Sequence, residues 1–362
     1  MSLAAIRDQA VPVRLVQTML RRGRLPNGLL FWGPAGVGKR LTAMALAQAI
    51  NCSERPDAGC GECLGCRRVA RGNHPDVRIV TPFRKARVID VEAIETVNEL
   101  AALRPYESSW RVFIIDDADR MNPTAQNHFL KTLEEPPGQS LFILVTEHPR
   151  ILLPTIRSRC QLVRFGGLAP DTVAELLRTQ RDLPEDMAQA IAAISQGQIS
   201  RALDLVDSEK RDIALTVVEK LQSGAEPMDV AQDFVQHLET QRKQIEAQYI
   251  GDNDDAAEPA ASAEDKKARQ DRQKAVADTM VRRDIVEYLH ILQTWYRDVL
   301  VLNATGMENQ VLNRDRLAAL ESAQAEGAAD KLEAIDRARL YLDRFISEER
   351  VFRDLFFTLA AK

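Results

Sequence analysis

The stretch LLFWGPAGVGKRLTAMALAQAI constrains this chain more than any other. Leu29 to Trp32 is an apolar run of strand length, Gly33 to Gly38 is a glycine-rich turn, and the residues after Lys39 favour a helix. A strand that hands such a turn to a helix N-terminus lets successive backbone N–H groups converge on phosphate oxygens, with Lys39 able to reach the outer phosphates. Gly33, Gly36, Gly38 and Lys39 are therefore candidate phosphate ligands. The next position, where a Ser or Thr hydroxyl would ligate Mg²⁺, is Arg40. That departure separates phosphate binding from hydrolysis.

Further apolar, β-branched runs lie at Val77 to Val80, Val112 to Ile115, Phe142 to Thr146 and Leu162 to Phe165, with helical patterns between several of them. Strands alternating with helices predict a parallel sheet covered on both faces. After Phe165 the strand signals stop and GGLAPDTVAELLRTQ opens a helical region. The fold class expected is an α/β P-loop domain with a parallel sheet and a small cysteine-rich module, then a small helical unit, then an all-α C-terminal domain. The boundaries expected are 1–166, with the cysteine-rich module at 52–66, then 167–207 and 208–362. Helical spacing of Ile335, Leu342, Phe345, Ile346, Phe352, Leu355, Phe356 and Leu359 predicts one buried helix face in the last of these. Within it, residues 251–275 turn to Asp, Glu, Ala, Lys and Arg, which predicts a solvated insertion or partly helical linker.

Four of the five cysteines, Cys52, Cys60, Cys63 and Cys66, make C-x7-C-x2-C-x2-C. Four thiolates suit tetrahedral Zn²⁺, and Gly59, Gly61 and Gly65 permit the tight turns that ligation needs. The site reads as closed and structural. In VFIIDD, an apolar strand ends on two carboxylates: Asp116 is the candidate metal-side group, and Asp117 stands where a longer Glu would activate water. Capping of the following helix by Asp117 and Asp119 is the competing account. The 48 basic and 53 acidic residues leave a formal charge of -5, against a chain that is basic overall. Arg21, Arg22 and Arg24, and Arg84, Lys85 and Arg87, lack interleaved aromatics and read as solvated surface. No run of eighteen apolar residues occurs, and Arg7, Asp8 and Arg14 interrupt the start, so a cytoplasmic chain without membrane contact is expected.

LPNGLLFWGPAGVGK, the cysteine cluster after the first loop helix, Asn127 with LKTLEEPP (130–137), and Ser158-Arg159-Cys160 together resemble the AAA+ clamp-loader subunits of bacterial DNA polymerase III over about the first two hundred residues. The resemblance implies an AAA+ module, a lid and a helical collar for oligomerisation. It implies partners too: the ATPase (gamma/tau) and delta subunits, and through them the sliding clamp and primer-template DNA. Arg159 would be the arginine finger acting on a neighbour's nucleotide. Against the family's complete ATP site this chain departs at Arg40, Asp117, Glu147 and Ser200, the last standing for the lid arginine with Arg201 one place later. The four departures together imply a degenerate site (Gly33, Gly36, Gly38, Lys39, Asp116), with doubtful ATP and Mg²⁺ binding and lost hydrolysis. Structural Zn²⁺ is the expected cofactor. An active ATPase motor subunit and a zinc-containing DNA-binding protein with a vestigial loop remain open as alternatives, as does a surface ion pair for Arg159.

Overall fold

The computed structural model describes residues 2–56, 58–82, 88–254, 263–323 and 326–361. Arg84, Lys85, Arg87 and residues 255–262 of the charged segment lie outside them. Two compact units form: residues 1–180 with 195–201, and residues 181–194 with 202–362.

The first unit is built on five parallel strands, β1 (Gly28–Trp32), β2 (Val77–Val80), β3 (Arg111–Ile115), β4 (Ser140–Thr146) and β5 (Gln161–Arg164), in the order β2-β3-β4-β1-β5. All five expected runs are strands. Parallel strands need crossovers, which α2 (Lys39–Ile50), α3 (Leu64–Ala70), α4 (Val91–Ala102), α5 (Pro123–Glu134) and α6 (Pro154–Arg159) supply, while α1 (Ala10–Arg21) precedes β1 and α7 (Pro170–Arg181) follows β5. Alternation along each strand splits the apolar side chains into two cores. Leu29, Phe31, Ile114 and Ile143 pack on one face with Ala43 and Leu46 of α2. Leu30, Phe113, Phe142 and Leu144 pack on the other with Ile94 of α4 and Phe129 of α5. β1 sits inside the sheet between β4 and β5, so the loop leaving its C-terminal end is set by rigid neighbours on both sides.

The second unit is helical: α8 (Glu185–Ile194), the end of α9 (Ile199–Asp207), α10 (Lys210–Gln222), α11 (Pro227–Asp254), α12 (Ala263–Thr305), α13 (Leu317–Glu321), α14 (Ala328–Asp343) and α15 (Glu348–Ala360). In the charged segment the backbone is helical up to Asp254 and again from Ala263. Phe234 meets Tyr288, Phe352 and Phe356 edge-on, at ring-centroid distances of 5.1, 4.7 and 5.6 Å. The single helix face expected through Ile335 to Leu359 is corrected here. Phe345 takes a left-handed φ of 60° and ends the run, so α14 and α15 are separate helices. Phe345 is 84% exposed, with the Arg282 guanidinium over its ring at 4.9 Å. No described helix is long and apolar enough to cross a membrane.

Candidate functional site

The loop Gly33–Gly38 joins β1 to α2 at the C-terminal end of the sheet. Gly38 is left-handed at φ 97°, and its carbonyl accepts the Thr42 N–H at 2.8 Å and the Thr42 hydroxyl at 2.9 Å. Lys39, the first residue of α2, is buried at 6% exposure. Its ammonium turns back on its own loop, donating to the carbonyls of Gly33 at 2.8 Å and Pro34 at 2.5 Å. Burial lowers its pKa from the usual lysine value, against the opposing pull of Glu147, Asp116, Asp117 and Asp119.

Asp116 follows β3, its N–H bonded to the Val80 carbonyl at 2.9 Å. One oxygen of its carboxylate is engaged by a cation of the chain itself, because Arg40 Nη1 donates to Asp116 Oδ2 at 3.0 Å. Burial raises the Asp116 pKa, Asp117 adds to the rise, and the Arg40 guanidinium opposes it. Asp117 takes a left-handed backbone (φ 49°, ψ 49°) and its side chain caps nothing; Asp119 instead accepts the Thr146 hydroxyl at 2.5 Å. The capping account of the two carboxylates is thereby corrected. Thr146 is 1% exposed and also accepts the His148 N–H at 2.9 Å. Glu147 is exposed and lines a cavity of about 420 Å³ with Trp32, Pro34, Ala35 and Arg164. Ser200, in the first turn of α9, closes on the loop: a Cβ placed on Gly36 would lie 2.5 Å from Ser200 N and Oγ. Arg201 turns aside to Gln196 Oε1 at 3.5 Å.

The candidate nucleotide residues therefore come together, with a guanidinium on one oxygen of Asp116 and no hydroxyl at the position after Lys39, an arrangement that disfavours Mg²⁺.

The four cysteines fit a metal well. Their sulfurs all lie within 4.8 Å of one another, with Cys52 to Cys63 and Cys60 to Cys66 each at 3.9 Å. Tetrahedral Zn–S bonds of about 2.3 Å put sulfurs about 3.8 Å apart. Backbone N–H groups turn towards the sulfurs, Arg55 and Cys60 to Cys52, Glu62 and Cys63 to Cys60, and Cys66 to Cys63. All four are free cysteines, so no disulfide competes for them. Burial would raise the Cys63 thiol, but the Cys66 N–H and neighbouring thiols overcome it and bring it down to about 6, whereas burial pushes Cys66 up to about 12.

Arg159 ends α6, exposed at the surface. Its guanidinium donates to the Thr155 carbonyl at 3.2 Å and pairs with Glu134, in the LKTLEEPP segment, at 2.6 Å. Two motifs far apart in sequence thus meet at one surface point. Ser158 Oγ donates to Thr155 O at 2.9 Å, and Cys160 is buried against Gly28. Asn127 is exposed on α5. Its neighbour Gln126, with no motif to mark it, bonds Met121 O at 3.0 Å and accepts the Leu153 N–H at 2.8 Å, joining α5 to the start of α6. Arg21, Arg22 and Arg24 are exposed.

The family model described as DNA polymerase III, delta subunit, matches residues 8–169. DNA polymerase III subunit delta' of Bacillus subtilis is 32% identical over 212 residues, covering 56% of this chain and 62% of the relative. The subunit of the same name from Pseudomonas aeruginosa is 33% identical over 217 residues, 57% of this chain and 66% of the relative. DNA polymerase III subunit gamma/tau of Mycobacterium tuberculosis is 36% identical over 177 residues, 49% and 30% of the two chains. The chain thus spans just under two thirds of the delta' relatives it matches. Over its phosphate-loop module the chain is similar to the delta' subunits of DNA polymerase III.

Proposed function

We propose that this chain is the delta' subunit of a clamp loader, a stator that does not hydrolyse ATP in its own site and supplies Arg159 to the site of a neighbouring ATPase subunit. The partners in this reading are gamma/tau and delta subunits, with the sliding clamp and primer-template DNA reached through the assembly in the cytoplasm. A lid over about 167–207 and a collar over 208–362 would serve that assembly, and Zn²⁺ on Cys52, Cys60, Cys63 and Cys66 would be structural. The observation that supports the reading is the placing of two ion-paired arginines. Arg40 pairs with Asp116 inside the chain's own candidate metal position, while Arg159 stands on a helix end at the surface, held by Glu134 of the LKTLEEPP segment, a pair that a neighbour's phosphates would have to displace. A planar, permanently charged guanidinium delivered to a transferring phosphoryl group is worth about 10³ to 10⁵ in rate.

The test is DNA- and clamp-stimulated ATP hydrolysis by the loader reconstituted with separate ATPase and delta subunits. Arg159→Ala is expected to cost at least about a hundredfold in rate with assembly intact. An unchanged rate would remove the role in trans. The purified chain alone is expected to show no turnover above background, and turnover abolished by Lys39→Ala would establish a motor subunit instead.

A further inference from the structure

Arg40 is placed where helix electrostatics disfavour it. It is the second residue of α2, beside Lys39, and the first turn of that helix carries no acidic side chain. The N-terminal end of a helix is its positive end, so two cations there need compensation from elsewhere. It comes from Asp116, 76 residues away at the end of β3 and 16% exposed at its side chain. Three further carboxylates, Asp117, Asp119 and Glu147, act on Lys39 in the same mouth. Lys39, Arg40 and Arg164, which lines the cavity with Glu147, against four carboxylates still leave that mouth acidic, as a divalent cation would require. The structure fills the position with a side chain.

We propose that Arg40 is a specificity-determining residue whose guanidinium takes the place of the divalent metal on Asp116 and shuts the phosphate loop to metal-bound nucleotide. A Mg²⁺ at about 2.1 Å from the same oxygen would have to displace a hydrogen bond of 3.0 Å and sit beside a like charge. The acidic mouth is kept, so the capacity to hold a cation is masked rather than lost. This rests on the reading of the site as silent and names the residue that makes it so.

The experiment uses the full, zinc-loaded chain and Mn²⁺ as the probe, read by electron paramagnetic resonance with and without ADP. Mn²⁺ favours carboxylate over thiolate, so the cysteine centre does not compete. Arg40 is half exposed, and thermal unfolding with zinc content checks that each variant is folded. Arg40→Thr is expected to bind Mn²⁺ at least tenfold more tightly than the wild type, and Arg40→Thr with Asp116→Asn to lose that gain. Arg40→Lys, which keeps a cation, is expected to stay closed. Equal Mn²⁺ affinity in wild type and Arg40→Thr would overturn the proposal, and so would a gain that survives Asp116→Asn. Those results leave the silent-site reading standing; ATP turnover by the wild-type chain alone would overturn that reading first.

Discussion

Asp76 is fully buried and yet has every reason to stay ionised. Its carboxylate accepts the backbone N–H groups of Tyr106 at 2.6 Å, Glu107 at 2.9 Å and Ser108 at 3.0 Å, and Arg111 Nη2 lies at 3.4 Å. Burial alone would raise its pKa, but the three N–H groups and Arg111 together bring it below the usual aspartate value. A depressed folded pKa adds stability that is complete above the unfolded value, about 3.9, and is lost as pH falls through the lower folded value. Asp76→Asn is therefore expected to destabilise the first unit by about 3 kcal/mol at pH 7, through an uncompensated Arg111 and poorer acceptance of three N–H groups. The difference from wild type is expected to shrink below about pH 4. Urea unfolding at pH 7 and pH 3.5 measures both; a difference that does not shrink would mean that the charge is not what holds the 104–110 segment. Nothing in the sequence marks Asp76, nor Thr146 or Gln126. Their partners lie about thirty residues away along the chain. Lys39 and the cysteines could be found from spacing because their ligands are local; Arg40 on Asp116 could not, because the pair exists only once β1 and β3 lie in one sheet on either side of β4.

At the scale of elements, the strands were readable because buried parallel strands are written as short β-branched runs. Their order was not, since it depends on which way each helix crosses. That order decides the surface around Arg159: β1 lies beside β5, and Gly28 at the start of β1 touches the end of α6. A Cβ on Gly28 would lie 2.9 Å from Cys160 Sγ and 3.2 Å from the Arg159 carbonyl. Gly28→Ala is expected to cost about 1 to 3 kcal/mol by overpacking and to shift the triplet, lowering the rate of the reconstituted loader in the same direction as Arg159→Ala. A stability loss with an unchanged rate would separate the packing from the finger. The cysteine module is likewise an element. Cys63 caps α3 by accepting the Cys66 N–H, and Gln48 of α2 donates to the Cys66 carbonyl at 2.8 Å. Freshly purified, reduced protein is expected to hold one Zn²⁺ per chain. Cys63→Ser is expected to weaken binding and raise hydrogen exchange over 52–70 while the sheet stays protected, because the sheet core takes Val69 alone from α3. Zinc-free protein with equal protection over 52–70 would make the cluster a packing feature.

Each unit of the molecule is tied by its own buried carboxylate. In the first, Asp76 gathers the 106–108 backbone against β3. In the second, Asp298 of α12, also without exposure, accepts the N–H groups of Leu312 at 2.9 Å and Asn313 at 2.8 Å and the Asn313 amide at 2.9 Å. Asn313 in turn accepts from Arg211 of α10 at 3.1 Å, and Arg211 pairs with Asp315 at 2.7 Å. Lys210 adds a second tie, reaching Asp204 at 2.8 Å and Asp284 at 2.7 Å. Of the aromatic cluster of this unit, Phe352 and Phe356 were legible as helical spacing, whereas Phe234 and Tyr288 were not. The polar ties were not, because a buried Asp among helical residues looks like any solvated one. Asp76 and Asp298 share no hydrogen-bond partner, so their effects should add, within about 0.5 kcal/mol, if each serves its own core. Asp298→Asn is expected to raise hydrogen exchange in 311–313 and the last turns of α12 and to leave β2 and β3 unchanged. Asp76→Asn should do the reverse, with faster exchange at 106–108 and unchanged protection in α12. If either substitution loosened both sets of amides equally, the two cores would be opening as one cooperative body, and the ties would belong to the whole chain.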